Sequence, residues 1–363
     1  MQILSDLDQK GIVAMSKWIG RIGRCAALIA LALAPASLPS SAAVANEAGQ
    51  TLVVGVWGGD IERLIREHVV AKLEAQTGAK VELLLGGTGD RLAKLYAERN
   101  HPTMDVAFLN IYEAPQAQKD GIVDAPDPDA PYAKAIWPGM NHGCYAMSLN
   151  GLGIAYSKKL VPTPPEWADM WKPEFKGKVA LPPYPSAEDD GVLAVAARLV
   201  GADEHASDKA FAKLAELKPI AVTYTSLDQV FGLMDSGDVA MAPMIGGYAM
   251  AALKKDPDLG FVFPKNPGPV LVRDMLCLVA HSPHPALAKQ FAALALGVDT
   301  QAAYAKELYF GPTNMNVTVP PSMAGEVIAT PEQVKSLLSL DWSYIISQRS
   351  QWTDRWNKEI LGD

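Results

Sequence analysis

Between Leu52 and Gly121 the chain repeats one pattern three times: a short apolar run, a turn of small, hydrogen-bonding or aromatic residues, and then apolar residues at helical spacing. Leu52 to Val56 is an unbroken apolar run, as expected of a strand covered on both faces. It is followed by Trp57-Gly58-Gly59, then Asp60 as a helix cap, then Ile61, Leu64, Ile65, His68 and Leu73 on one helical stripe. Val81 to Leu85 and Asp105 to Leu109 predict two further strands, with turns at Gly86 to Asp90 and at Asn110-Ile111-Tyr112. Strands and helices alternating at this pitch imply an α/β fold with a parallel sheet and right-handed crossovers.

A Pro/Asp-rich passage, Asp124 to Pro131, interrupts this series before a strand-like stretch from Tyr145 to Tyr156. A second α/β series follows to Phe263, and then the long run Val270 to Ala280 reads as a returning strand. At 363 residues and 49% hydrophobic content, the chain exceeds what one core ordinarily organises and can supply two. The expectation is two lobes joined by two crossover strands, with 46–152 as the first part of lobe 1, 153–276 as lobe 2, and 277–363 returning to lobe 1. Trp342, Trp352 and Trp356 lie in that last stretch.

Lys17, Arg21 and Arg24, the apolar Ala26 to Ala34 and the small-residue stretch Ser41 to Ala45 read as a signal peptide, residues 1–45, cleaved after Ala45. Met1 and Met15 are alternative starts. The apolar core of the leader is too short to span a bilayer, so a periplasmic protein is expected. The net charge of −8 becomes more negative without the leader's basic residues, which argues against nucleic acid. Cys144 and Cys277 remain in the mature chain, both in apolar strand-like runs where buried free thiols are common. A disulfide is the less favoured alternative.

In α/β sheets ligands bind beyond the carboxyl ends of the strands, where helix N-termini point. That rule selects Trp57, Gly58, Gly59, Thr88, Asn110 and Tyr112 in the first lobe. In the second it selects the turn Tyr184 to Asp190, then Thr225, Ser226, Gly246 and Tyr248. Asp274 is the sharpest polar candidate, because a carboxylate in an apolar strand is costly unless it has a partner. Its neighbour Arg273 can share a cleft with it only if the strand bends, since alternate side chains face opposite ways. Asp189-Asp190 reads as a helix cap.

No G-x-S-x-G, H-E-x-x-H, C-x-x-C or phosphate-loop motif is present, and no catalytic triad can be assembled from the six histidines. His281 and His284, between prolines, read as a surface loop rather than a metal site. No enzyme activity, metal or cofactor is expected; a secreted two-lobed α/β enzyme is the alternative class.

Trp167-Ala168-Asp169 with Trp171 to Val179 (W-K-P-E-F-K-G-K-V), Ser236 to Met241 (S-G-D-V-A-M) and Gly311-Pro312-Thr313-Asn314 resemble the bacterial periplasmic solute-binding proteins of ABC importers, in the polyamine and ferric-iron branch. The resemblance implies a type II periplasmic-binding-protein fold that closes on its ligand by hinge motion, acting as a monomer that delivers a small polar solute to a permease. It places Asp274 where polyamine receptors hold an amino group. The ferric-iron members' Tyr-Tyr pair is absent, and Val272 stands where polyamine receptors have tryptophan, which argues against a long dicationic ligand. Arg273 beside Asp274 suits a smaller solute carrying both an amino group and a carboxylate; ferric iron and an anionic carboxylate or phosphonate are the other ligand alternatives.

Overall fold

The computed structural model describes residues 47–254 and 256–362; the expected signal peptide lies outside the described residues. Two five-stranded sheets organise the chain, with a separate two-stranded sheet beside the second. The first sheet has the order β2 (Lys80–Leu85), β1 (Thr51–Val56), β3 (Val106–Asn110), β11 (Asp274–Leu278), β4 (Tyr145–Ala146). As the spacing implies, β1, β2 and β3 are parallel, whereas β11 and β4 join antiparallel. Leu52, Val54, Leu64 and Phe108 form its core together with Phe291 and Tyr304, from the helices Pro285–Ala295 and Val298–Leu308.

The second sheet is built on β5 (Ser148–Ser157), ten residues that are all buried. Its length lets four strands pair antiparallel with it: β8 (Met241–Ile245), β9 (Leu259–Val262), β10 (Val270–Val272) and β12 (Gly311–Pro312). Beside this antiparallel sheet, β6 (Ala180–Leu181) and β7 (Val222–Thr223) keep the parallel pairing that alternating strands and helices favour.

Both long strands expected from sequence are broken where they pass between sheets. Tyr145 to Tyr156 divides at Met147 into β4 and β5, and Val270 to Ala280 divides at Arg273 into β10 and β11. The pairing partners explain the breaks. β10 pairs with Asn150 to Leu152 of β5, while β11 pairs with β3 and β4. A straight strand cannot lie in both sheets.

The chain makes a third passage at β12, whose Gly311 and Pro312 pair with Leu149 and Ser148. Beyond it, Trp342, Trp352 and Trp356 pack in the core that contains Trp167, Phe211 and Ile154. This departs from the expectation that 277–363 stays with the first lobe: residues 285–308 do, but the last helices cover the second sheet.

A second correction concerns the cysteines. Cys144 and Cys277 form a disulfide rather than remaining free thiols. The register Met275↔Ala146 and Leu276↔Tyr145 sets their neighbouring segments side by side and brings the two Cα atoms to 4.9 Å, within bonding range.

Candidate functional site

The two strand breaks lie against each other. The Ser148 hydroxyl donates to the Asp274 carboxylate at 3.0 Å and accepts from the Asp274 backbone N–H at 3.3 Å, while Met147 N–H donates to the Asp274 carbonyl at 2.8 Å. Around this junction lies a cavity of about 260 Å³. One wall carries Asn110 and Tyr112 from the end of β3; the other carries Glu188 and Tyr248, from the helices Ala187–Leu199 and Gly246–Leu253. Arg273 and Asp274 both line it at the break between β10 and β11, the Arg273 guanidinium against Met140 and the Asp274 carboxylate against Ser148.

The charges here are poorly compensated. Arg273 is 4% exposed, its Nη1 meets only the Met140 sulfur at 3.1 Å, and its Nε is buried without a partner. Desolvation lowers its pKa to about 10. Asn150, also on the cavity wall, spends its carbonyl oxygen on the N–H groups of Gly151 (3.0 Å) and Gly247 (3.3 Å), leaving a buried Nδ2 with no acceptor. Burial pushes the Asp274 carboxyl up to about 6, with only the Ser148 hydrogen bond opposing the rise. Desolvation also raises Glu188. Buried donors and carboxylates left in this state favour a ligand that supplies the missing partners.

A second hollow of about 280 Å³ adjoins the first, sharing Ser186, Glu188 and Tyr248. Thr225 and Ser226 line it, beside Tyr224 and Met244. Ser226 also caps the helix Leu227–Ser236, its hydroxyl accepting from Gln229 N–H at 3.2 Å.

Of the residues selected from sequence, Asn110, Tyr112, Tyr248, Arg273 and Asp274 meet at the first cavity, and Thr225 and Ser226 reach the second. Trp57 and Thr88 stand one step behind. The Trp57 indole N–H donates to Thr88 Oγ1 at 3.1 Å, and Asn110 Nδ2 donates to the same oxygen at 3.3 Å. The Trp57 ring lies under the Arg91 guanidinium at 5.1 Å and edge-on to Phe108, so its face is already occupied. Gly59 has φ 72° at the start of the helix Asp60–Ile65, which makes the glycine a backbone requirement and moves the cap one residue before Asp60; Gly58 precedes it in the same turn. Gly246 leaves room for the Phe263 ring, which would lie 2.6 Å from a Cβ there. Tyr184 stacks on Trp356 at 4.9 Å and donates its hydroxyl to Asp190 at 3.2 Å.

The acidic pair is not the cap. Ser186 caps the helix Ala187–Leu199, accepting from Asp189 N–H at 3.2 Å, and Asp190 is ion-paired to Arg349 at 2.6 Å. A serine three residues before the acidic pair is itself a capping signal. Ser148 and Asn150, which line the first cavity, were not selected from sequence, and Glu188 was selected only as part of its turn. Glu188 falls inside the selected turn, but a carboxylate in a first helical turn reads as dipole compensation. Ser148 and Asn150 sit in a stretch read as a buried strand, where the polar residues were the available signal. His284 lies at the start of the helix Pro285–Ala295, its Nδ1 3.2 Å from the fully buried Asp105, and so anchors a loop to the first sheet.

Residues 68–332 match the family described as bacterial extracellular solute-binding protein. The chain is 26% identical over 330 residues to a γ-aminobutyric acid-binding protein of Pseudomonas aeruginosa, covering 87% of this chain and 92% of that protein. It is 28% identical over 204 residues to spermidine/putrescine-binding periplasmic protein 1 of Haemophilus influenzae, covering 53% of this chain and 54% of that one. Among solved structures, an ABC transporter protein from Clostridium perfringens superimposes with a TM-score of 0.75 at 26% identity, covering 85% of this chain and 99% of that one. With that match over residues 68–332 and a two-sheet fold whose connecting strands break beside a charged cavity, the chain belongs to the bacterial extracellular solute-binding proteins, the family that captures solutes for ABC importers.

Proposed function

We propose that this receptor binds a short ω-amino acid of the γ-aminobutyrate kind, as a monomer in the periplasm, and delivers it to an ABC permease. The observation that carries the reading is the pairing of unmet needs in one cavity. Arg273 Nε and Asn150 Nδ2 are buried donors without acceptors, and Asp274 is a desolvated carboxylate held by a single hydroxyl. A solute carboxylate satisfies the first two and a solute ammonium satisfies the third. The same solute reading identifies Asn110, Tyr112 and Tyr248 as the walls that close on its methylene chain.

Size and charge placement support this solute over a polyamine. The cavity of about 260 Å³ is below the roughly 300–1,000 Å³ of sites for drug-sized ligands. A polyamine would leave Arg273 facing a cation, and the adjoining hollow offers its far amino group no carboxylate beyond the shared Glu188. The γ-aminobutyric acid-binding relative is consistent with the same class. Against ferric iron stands the sequence, which has no consecutive tyrosines. We assign 47–147 with 274–310 to one of the lobes enclosing the site, and 148–254 and 256–272 with the last helices to the other.

The test is titration calorimetry of γ-aminobutyrate against the native chain and Arg273→Met. The variant should bind about ten- to a hundred-fold more weakly, the worth of a charge-assisted hydrogen bond, with no loss of melting temperature in the empty protein. Equal affinity in the two proteins would remove Arg273 from the site.

A further inference from the structure

Arg349 lies outside the cavity on the helix Trp342–Arg355, yet it contacts both walls. Its Nε and Nη2 donate to Asp190 Oδ2 at 3.0 and 2.6 Å, beside the turn that carries Ser186 and Glu188. Its guanidinium lies 4.9 Å over the ring of Tyr112, which comes from the end of β3 in the first sheet. The same ring meets Trp342 at 5.7 Å, and the Tyr112 hydroxyl accepts from Asn110 Nδ2 at 2.9 Å. Ile111, next to it in the chain, is buried in the core of the second sheet rather than that of the first. One cation therefore holds a first-lobe ring against a second-lobe helix.

We infer that Arg349 is a positioning residue for solute capture: by bridging Asp190 and Tyr112 it holds the two lobes together and so sets how much of the receptor population has them apposed around the cavity. The inference goes beyond the identity of the solute and holds for any occupant. A receptor whose binding form is a fraction of the population binds with its intrinsic dissociation constant divided by that fraction. A cation over a ring contributes about 0.5 to 2 kcal/mol, which converts to a roughly two- to thirty-fold change in the ratio of closed to open forms.

Small-angle scattering of the unliganded protein tests this without a ligand, and γ-aminobutyrate serves as the probe for affinity. Arg349→Met leaves Asp190 buried with only Tyr184, so Asp190→Asn with Arg349→Met is prepared as well, to remove both charges together. Tyr112→Leu cuts the latch from the other side; Tyr112→Phe keeps the ring. The expected result is a larger radius of gyration for the unliganded double variant and for Tyr112→Leu, native values for Tyr112→Phe, and a two- to thirty-fold weaker γ-aminobutyrate affinity in the double variant. Unliganded profiles that superimpose on the native one overturn the latch, as does equal opening by Tyr112→Phe. A failure of γ-aminobutyrate to bind any of the proteins overturns the proposed solute and leaves the scattering comparison intact.

Discussion

The hydroxyl of Ser148 and the carboxylate of Asp274 meet at 3.0 Å where both connecting strands leave one sheet for the other. The carboxylate proposed to bind the solute thus sits where the strands pass between the sheets, so a solute that neutralises it would act on the connection itself.

Asp274→Asn keeps the shape of the side chain and its contact with Ser148 while removing the charge. Affinity for γ-aminobutyrate should fall ten- to a hundred-fold, about 1.5 to 3 kcal/mol. The empty protein should melt no lower at pH 7, because a desolvated carboxylate without a cation is unfavourable. Calorimetry and thermal melting of the same sample check both statements; a melting temperature depressed by several degrees with binding intact would make Asp274 a structural group.

The pH dependence has a definite sign. Burial holds Asp274 at about 6, above the unfolded value near 3.9. From about pH 4 to 6 the folded chain therefore binds more protons than the unfolded one, so this group's contribution falls as pH rises through that window and is least favourable above it. Relative to Asp274→Asn, the native chain should lose roughly 2 to 3 kcal/mol between pH 4 and pH 7. Solute binding runs the other way: γ-aminobutyrate affinity should weaken below pH 6, approaching tenfold per unit. An affinity flat from pH 5 to 7 would contradict ionised Asp274 as the ammonium partner.

The disulfide joins Cys144 to Cys277 across 133 positions of sequence, so it ties together the two ends of the intervening lobe. Replacing both cysteines with serine should cost about 2 to 5 kcal/mol, measured by denaturant unfolding. With both sulfurs buried, reductant should act on the native protein only as fast as it unfolds.

Much of this architecture was legible. Apolar runs such as Leu52 to Val56 announce strands covered on both faces, and the glycine turns locate their carboxyl ends. The breaks at Met147 and Arg273 were not legible, because polar residues such as Ser148 and Arg273 do not by themselves mark a break, which arises from pairing with two different sheets. The Trp-rich tail was misassigned for a similar reason: which core a tryptophan enters depends on the third passage at Gly311–Pro312, a two-residue strand without a periodic signal. At the site, Asp274 stood out as a charge within an apolar run, whereas Arg349 is one basic residue on a helix of mixed composition and acquires meaning only through Asp190 and Tyr112.

Trp57 gives a prediction that reverses the expectation from sequence. Its half-buried ring lies under Arg91 and edge-on to Phe108, and its N–H is bonded to Thr88. Trp57→Ala should therefore destabilise the fold, by roughly 2 to 4 kcal/mol, more than it weakens binding. Unfolding curves and calorimetry on this variant check the order of the two effects.

The central claim is that one cavity reads two opposite charges on a short solute. Measuring dissociation constants of the native receptor for γ-aminobutyrate, putrescine and butyrate, at one pH and ionic strength, tests it most directly. The account predicts that γ-aminobutyrate binds at least about tenfold more tightly than either, since putrescine leaves Arg273 and Asn150 unsatisfied and butyrate leaves Asp274 so. Putrescine or butyrate binding as tightly as γ-aminobutyrate would contradict it.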